Sequence, residues 1–119
     1  FGRCFERLCR ESLPLLYLGE GIRAPFIVGE YWGADVQVDV VGVRQDNWTD
    51  LGECKWGDVS SLPALAAELD EKVRRYPNAR TATIGRRLFM RKSPAKAGPR
   101  LPGLRVHTLQ DLYGLETGA

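Results

Sequence analysis

Asp39, Glu53 and Lys55 are the residues of this chain whose types and spacing point to chemistry. From Val36 to Val43 β-branched residues alternate with polar ones, Gln45-Asp46-Asn47 is a polar turn cluster, and a second extended run ends in Glu53-Cys54-Lys55-Trp56, so the stretch reads as a β-hairpin. With its turn centred on Asp46, Asp39 lies seven residues before the centre and Glu53 seven after, which sets the two directly opposite one another. Lys55 shares the face of Glu53, because strand side chains alternate with period two. Facing carboxylates repel unless a cation lies between them, and oxygen donors suit magnesium or manganese. The neighbouring lysine would orient a water or offset developing negative charge. The same charges also fit a solvated ladder on a strand face. Against that, the strand from Val36 to Val43, second in the chain, is rich in valine, and Cys54 and Trp56 sit on the opposite face from Glu53. That pattern indicates a central hairpin, where charges are costly and more often functional. Gln37, on the face of Asp39, is polar enough to assist.

Other elements must position these residues. Phe1, Phe5, Leu8, Cys9 and Ser12 form one helical stripe, with Cys4 and Leu13 beside it, and Pro14 is expected to end that helix within a residue or two. Glu6 lies towards one edge of the stripe, where a solvated flank residue is expected. Gly19 to Pro25 reads as a loop, and Phe26 to Trp32 as the first strand. After Gly57-Asp58, Ser60-Ser61-Leu62-Pro63 signals a capped helix start, and Leu62, Leu65, Ala66, Leu69, Val73 and Tyr76 make its apolar face. A strand from Arg80 to about Met90 would return parallel to the third strand. Pro94, Pro99 and Pro102 mark 91–103 as a loop, Leu104 to Val106 as a short last strand ended by His107, and Thr108 as the cap of a final helix. Trp32, Trp48 and Trp56 are expected to cover the edges of the core.

An Asp followed by Glu-X-Lys on the second and third strands, behind a helix that carries Glu, resembles the PD-(D/E)XK nuclease superfamily. Gly2 to Arg10, Val28-Gly29-Glu30-Tyr31-Trp32-Gly33, Val38-Asp39-Val40-Val41 and Gly52-Glu53-Cys54-Lys55-Trp56 together resemble the uncharacterised C-terminal domain of archaeal-type P-loop ATPases, a domain found in bacteria as well as archaea. The likeness covers roughly residues 1 to 113, with its specific part in 1 to 56. It implies an α/β, restriction-endonuclease-like fold: a central mixed β-sheet flanked by helices, in the order α-β-β-β-α-β-β-α. It further implies one domain over residues 1–119, attached to an ATPase in the same chain. Asp39 and Glu53 would then bind magnesium or manganese, with Glu6 holding the metal through water, and Lys55 would serve hydrolysis of DNA phosphodiesters. Val38 stands where nuclease families commonly have proline. No residue of the second helix can be matched to the glutamine or tyrosine that relatives add to the site.

Composition sets the bounds. The 119 residues are enough for one core, and 44% hydrophobic with 27% charged residues is ordinary for a globular domain. No apolar run approaches a membrane span. The three cysteines make no Cys-X-X-Cys, which argues against zinc and for a reduced cytoplasmic setting. Cys4 and Cys9 are expected to act as small core residues. There is no Gly-rich phosphate loop, so no nucleotide site is expected in this stretch. The net charge of +2 hides an asymmetry: residues 1–71 carry −7 and residues 72–119 carry +9. Arg86, Arg87, Arg91, Lys92, Lys96 and Arg100 are therefore the candidates for contacts with a nucleic-acid backbone. The alternative is a non-catalytic module that binds DNA or protein and regulates an attached ATPase, with a pure protein-interaction domain as a third possibility.

Overall fold

The computed structural model describes residues 2–59, 61–94 and 101–116. Phe1, Lys96 and Arg100 lie outside the described residues. The elements follow in the order α1 (Gly2–Gly19), β1 (Phe26–Trp32), β2 (Gln37–Arg44), β3 (Trp48–Lys55), α2 (Leu62–Arg75), β4 (Thr83–Met90), β5 (Leu104–Thr108) and α3 (Leu109–Glu116). This is the expected order of helices and strands. The five strands lie side by side in chain order, with β1, β2 and β3 antiparallel and β3, β4 and β5 parallel, so the sheet is mixed. No described helix is long and apolar enough to cross a membrane.

Helix α1 buries Phe5, Cys9, Leu13, Leu16 and Tyr17 on one face of the sheet, against Val40, Phe89 and Leu112 of α3. Helix α2 covers the other face, with Leu65, Ala66 and Leu69 on Leu88 and Met90. Valines 36, 38 and 41 and Leu51 extend that layer towards β1, where Val73 of α2 and Tyr76 just after it close it. Helices α2 and α3 are capped at their N-terminal ends by nearby side chains. Ser61 Oγ accepts the Ala64 N–H at 3.2 Å, and Thr108 and Asp111 exchange reciprocal side-chain to backbone bonds of 2.9 and 3.3 Å.

Three expectations are corrected. Pro14 sits inside α1, which runs on to Gly19. An interior proline costs about 3 kcal/mol, and burial of the Leu16 and Tyr17 side chains beyond it offsets that at about 1.5–3 kcal/mol each. Cys4 is exposed, while Cys9 is fully buried, because the stripe centre runs through Phe5 and Cys9. Trp32 is largely exposed at the end of the edge strand, whereas Trp56 does pack, its ring 5.3 Å from that of Phe5.

Candidate metal centre and the ionic network behind it

The hairpin has the register that places Asp39 opposite Glu53. Val40 pairs with Gly52, Val41 with Leu51, Gly42 with Asp50 and Val43 with Thr49, around a turn in which Asn47 takes the left-handed conformation with φ 66°. Asparagine tolerates that region better than most residues. The paired ladder stops at Val40–Gly52, one step short of the two carboxylates, because β2 is bulged there. Between Gly29↔Val41 and Tyr31↔Val38, β1 advances two residues while β2 advances three. The extra residue falls at Asp39 and Val40 and frees Asp39 from regular pairing. Its carboxylate accepts the Cys54 N–H at 3.0 Å in place of a strand partner. Arg10 of α1 donates to the Asp39 backbone oxygen at 3.1 Å and to Glu30 at 3.2 Å, which braces the bulge from the helix side.

Glu53 points to the α2 side and lies within hydrogen-bonding reach of the Asp39 carboxyl. Burial and the Asp39 hydrogen bond push its carboxyl up to about 7, against the pull of Lys72. The Lys72 ammonium lies 2.6 Å from Glu53 Oε2, and the Glu53 side chain is only 12% exposed. Glu6 feels the same crowding: partial burial and the Asp39 charge raise its carboxyl above the usual range. Among the described residues, however, no three His, Cys, Asp or Glu side chains close on one point. The structure thus brings Asp39 and Glu53 together and leaves Glu6 as a neighbour.

An open cleft of about 570 Å³ borders Glu53, with Asp39 buried behind it. Glu53, Lys55 and Gln37 line its strand side, and Glu68, Lys72 and Arg75 its α2 side. Lys55 is exposed at the end of β3, on the face of Glu53 as the alternation requires. Neighbouring carboxylates, one of which already holds an ammonium nitrogen, offer oxygen donors of the kind a hard divalent ion takes. Asp39 and Glu53 are the residues that would hold it.

Lys72 was missed in the sequence reading. It lies three residues beyond Leu69, the last fully buried position of the α2 stripe, and that flank position was the available signal. A larger polar cluster on the α1 face was also missed. Asp50 sits between Gly42 of β2 and Gly85 of β4, its register partners on either side. A Cβ at Gly42 would come within 2.2 Å of the Tyr17 hydroxyl, and one at Gly85 within 2.2 Å of Asp50 Oδ1. The two glycines make the space in which Tyr17 donates its O–H to Asp50. Burial and that hydrogen bond push the Tyr17 phenol far above its ordinary value. Arg44 reaches Asp50 at 3.3 Å and Asp46 at 2.5 Å.

Arg87 completes the network, and its expected role in nucleic-acid contact is corrected. Its side chain is 1% exposed, bonded to Glu20 at 2.6 and 2.8 Å and 3.4 Å from Asp50. Alternation along β4 turns Arg87 inward under α1, so it has no access to a phosphate. It also lies 3.2 Å from His107 Nε2, and burial together with that guanidinium lowers the imidazole to about 4. Burial would raise Glu20, but the Arg87 hydrogen bond and charge prevail and hold it below the usual range. The acidic Glu20, Asp46 and Asp50 match the basic Arg44 and Arg87, with Arg105 3.7 Å from Glu20, so the cluster is balanced in charge.

The other basic candidates are accessible but engaged. Arg86 pairs with Asp70 at 2.6 Å, and Arg91 with Asp58 at 2.6 Å while lying over the Trp56 ring. Lys92 stays 3.8 Å from Asp58 and 68% exposed. The basic half of the chain is folded onto the acidic half, which consumes much of the asymmetry seen in the sequence.

Comparison with known proteins finds a match to a family model. The model of a family of archaeal and bacterial proteins of unknown function, DUF234, covers residues 1–70, from α1 through the hairpin into α2. No curated protein and no solved structure matches the chain.

Proposed function

The chain belongs to that archaeal and bacterial family of unknown function, and we propose, from its own side chains, that it is a metal-dependent phosphodiesterase domain acting on DNA. The observation that carries this reading is Glu53, ion-paired with Lys72 and pushed up to about 7 by burial and by neighbouring Asp39, beside a cleft that also receives Lys55. Neighbouring buried carboxylates have little structural use, since like charges repel. Magnesium or manganese bound there supplies Lewis acidity towards a phosphate and an activated water. Asp39, fixed by the Cys54 N–H and the bulge, presents one oxygen set from the β2 side. Glu53 presents the other from β3. Lys55, on the open wall of the cleft, offsets negative charge on the reacting phosphate or positions the water.

The order of helices and strands and the mixed sheet agree with the restriction-endonuclease-like fold, and the motif resemblance supports placement in the PD-(D/E)XK superfamily. The same resemblance supports attachment to a P-loop ATPase, and the cysteine spacing supports a reduced cytoplasmic setting. A second reading has an observation of its own: Arg86, Arg87 and Arg91 are tied into internal ion pairs, which favours a non-catalytic module that binds DNA or protein and regulates the attached ATPase.

Labelled single-stranded, double-stranded and branched DNAs incubated with magnesium or manganese decide between them. Cleavage by the parent that Glu53→Ala and Lys55→Ala proteins, purified identically, both lose is the expected result. Absence of cleavage, or cleavage that persists in both variants, sinks the enzyme reading, and salt-dependent DNA affinity without cleavage favours the module.

A further inference from the structure

Resting on the metal-centre reading above, we propose that Lys72 is a built-in cation that seats on the carboxylate pair when no metal is bound and is displaced when one binds. The Lys72 ammonium, not that of Lys55, makes the 2.6 Å ion pair with Glu53 among the described contacts. Arg10, the other cation nearby, spends its donor on the Asp39 backbone oxygen and on Glu30, which leaves the Glu53 carboxylate to Lys72. A compact ammonium on a flexible four-carbon stem is suited to such service, because it can leave without moving the backbone.

The helix also provides a place for it to go. Glu68 lies one turn earlier on α2 and lines the same cleft. Glu at i with Lys at i+4 is the favourable orientation for a helix ion pair. The helix itself is pinned, with Ser61 at its cap and Leu65, Ala66 and Leu69 in the core, so exchange of Lys72 between Glu53 and Glu68 needs only side-chain rotation. Lys72 therefore competes with the metal, keeps the carboxylates together in its absence, and sets the concentration at which the site fills.

The test is manganese binding by calorimetry, together with the rise in unfolding temperature on adding manganese. The proteins are the full chain and its Lys72→Met, Lys72→Arg and Glu68→Gln variants. Lys72→Met is expected to unfold at a lower temperature without metal, to bind manganese about tenfold more tightly, and to gain more stability from it than the parent. Lys72→Arg, whose forked guanidinium grips a carboxylate at two points, is expected to bind manganese more weakly. Glu68→Gln is expected to weaken binding in the parent and to have no effect in the Lys72→Met background. Equal or weaker manganese affinity in Lys72→Met overturns the displacement and leaves the metal centre standing. Binding by none of the proteins overturns both. Should Lys72→Met fail to fold, the Lys72→Arg and Glu68→Gln proteins carry the same test.

Discussion

Two groups of buried charge lie at different ends of one sheet and are built on opposite plans. In the network of Tyr17, Asp50, Arg44, Arg87, Glu20 and His107 every carboxylate faces a guanidinium, and two glycines hollow out the space for it. At the open end of the hairpin Asp39 and Glu53 are neighbours, Glu6 adds to the crowding, and one lysine answers Glu53. Balanced burial holds a structure together but leaves nothing for a ligand to complete. Unbalanced burial is tolerated at a cost, and a cation from solution can relieve it. Perturbed carboxyls beside a cleft are what a functional site looks like in physical terms.

The comparison breaks most sharply on removal of charge. Arg87→Met leaves Glu20 and Asp50 buried without their partner and is expected to cost about 3–5 kcal/mol in urea unfolding. Asp39→Asn relieves repulsion and is expected to cost under about 1.5 kcal/mol, because the amide oxygen still accepts the Cys54 N–H. A comparable loss from both would erase the distinction. Tyr17→Phe removes one hydrogen bond to the Asp50 carboxylate and is expected to cost about 1.5–3 kcal/mol by the same measurement, without effect on manganese affinity.

The two ends should also answer pH with opposite sign. Glu53 is raised to about 7 from 4.5, so its contribution is full below pH 4.5 and is lost as pH rises towards 7. His107 is lowered to about 4 from 6.5, so its contribution is full above pH 6.5 and is lost as pH falls towards 4. Relative to the parent, Glu53→Gln should therefore become more stable as pH rises through that window, and His107→Gln more stable as pH falls. Each change is of order 1–2 kcal/mol. Parallel slopes in the two variants would contradict the assignment.

How much of this was legible follows from the range of the interactions. The hairpin, its register and the meeting of Asp39 with Glu53 depend on alternation and on a turn centre, all within a few residues of sequence. The caps of α2 and α3 are equally local, and both Ser61 and Thr108 stand where the pattern puts them. The bulge at Asp39 leaves no mark in composition. Arg87 beside Arg86 gives no hint that alternation buries one of them against Glu20, 67 residues away. Pro14 reads as a stop because its backbone cost is local, whereas the burial of Leu16 and Tyr17 that outweighs it is tertiary. Charge counted along the chain suggested a basic face, but pairing in space spends much of it inside the fold.

The central claim is that the unbalanced end is a seat for a divalent cation. Calorimetric titration of manganese and magnesium into the parent and into an Asp39→Ala, Glu53→Ala double variant tests it most directly. The account predicts binding by the parent that the double variant loses while remaining folded. Affinity unchanged by the double substitution would contradict it.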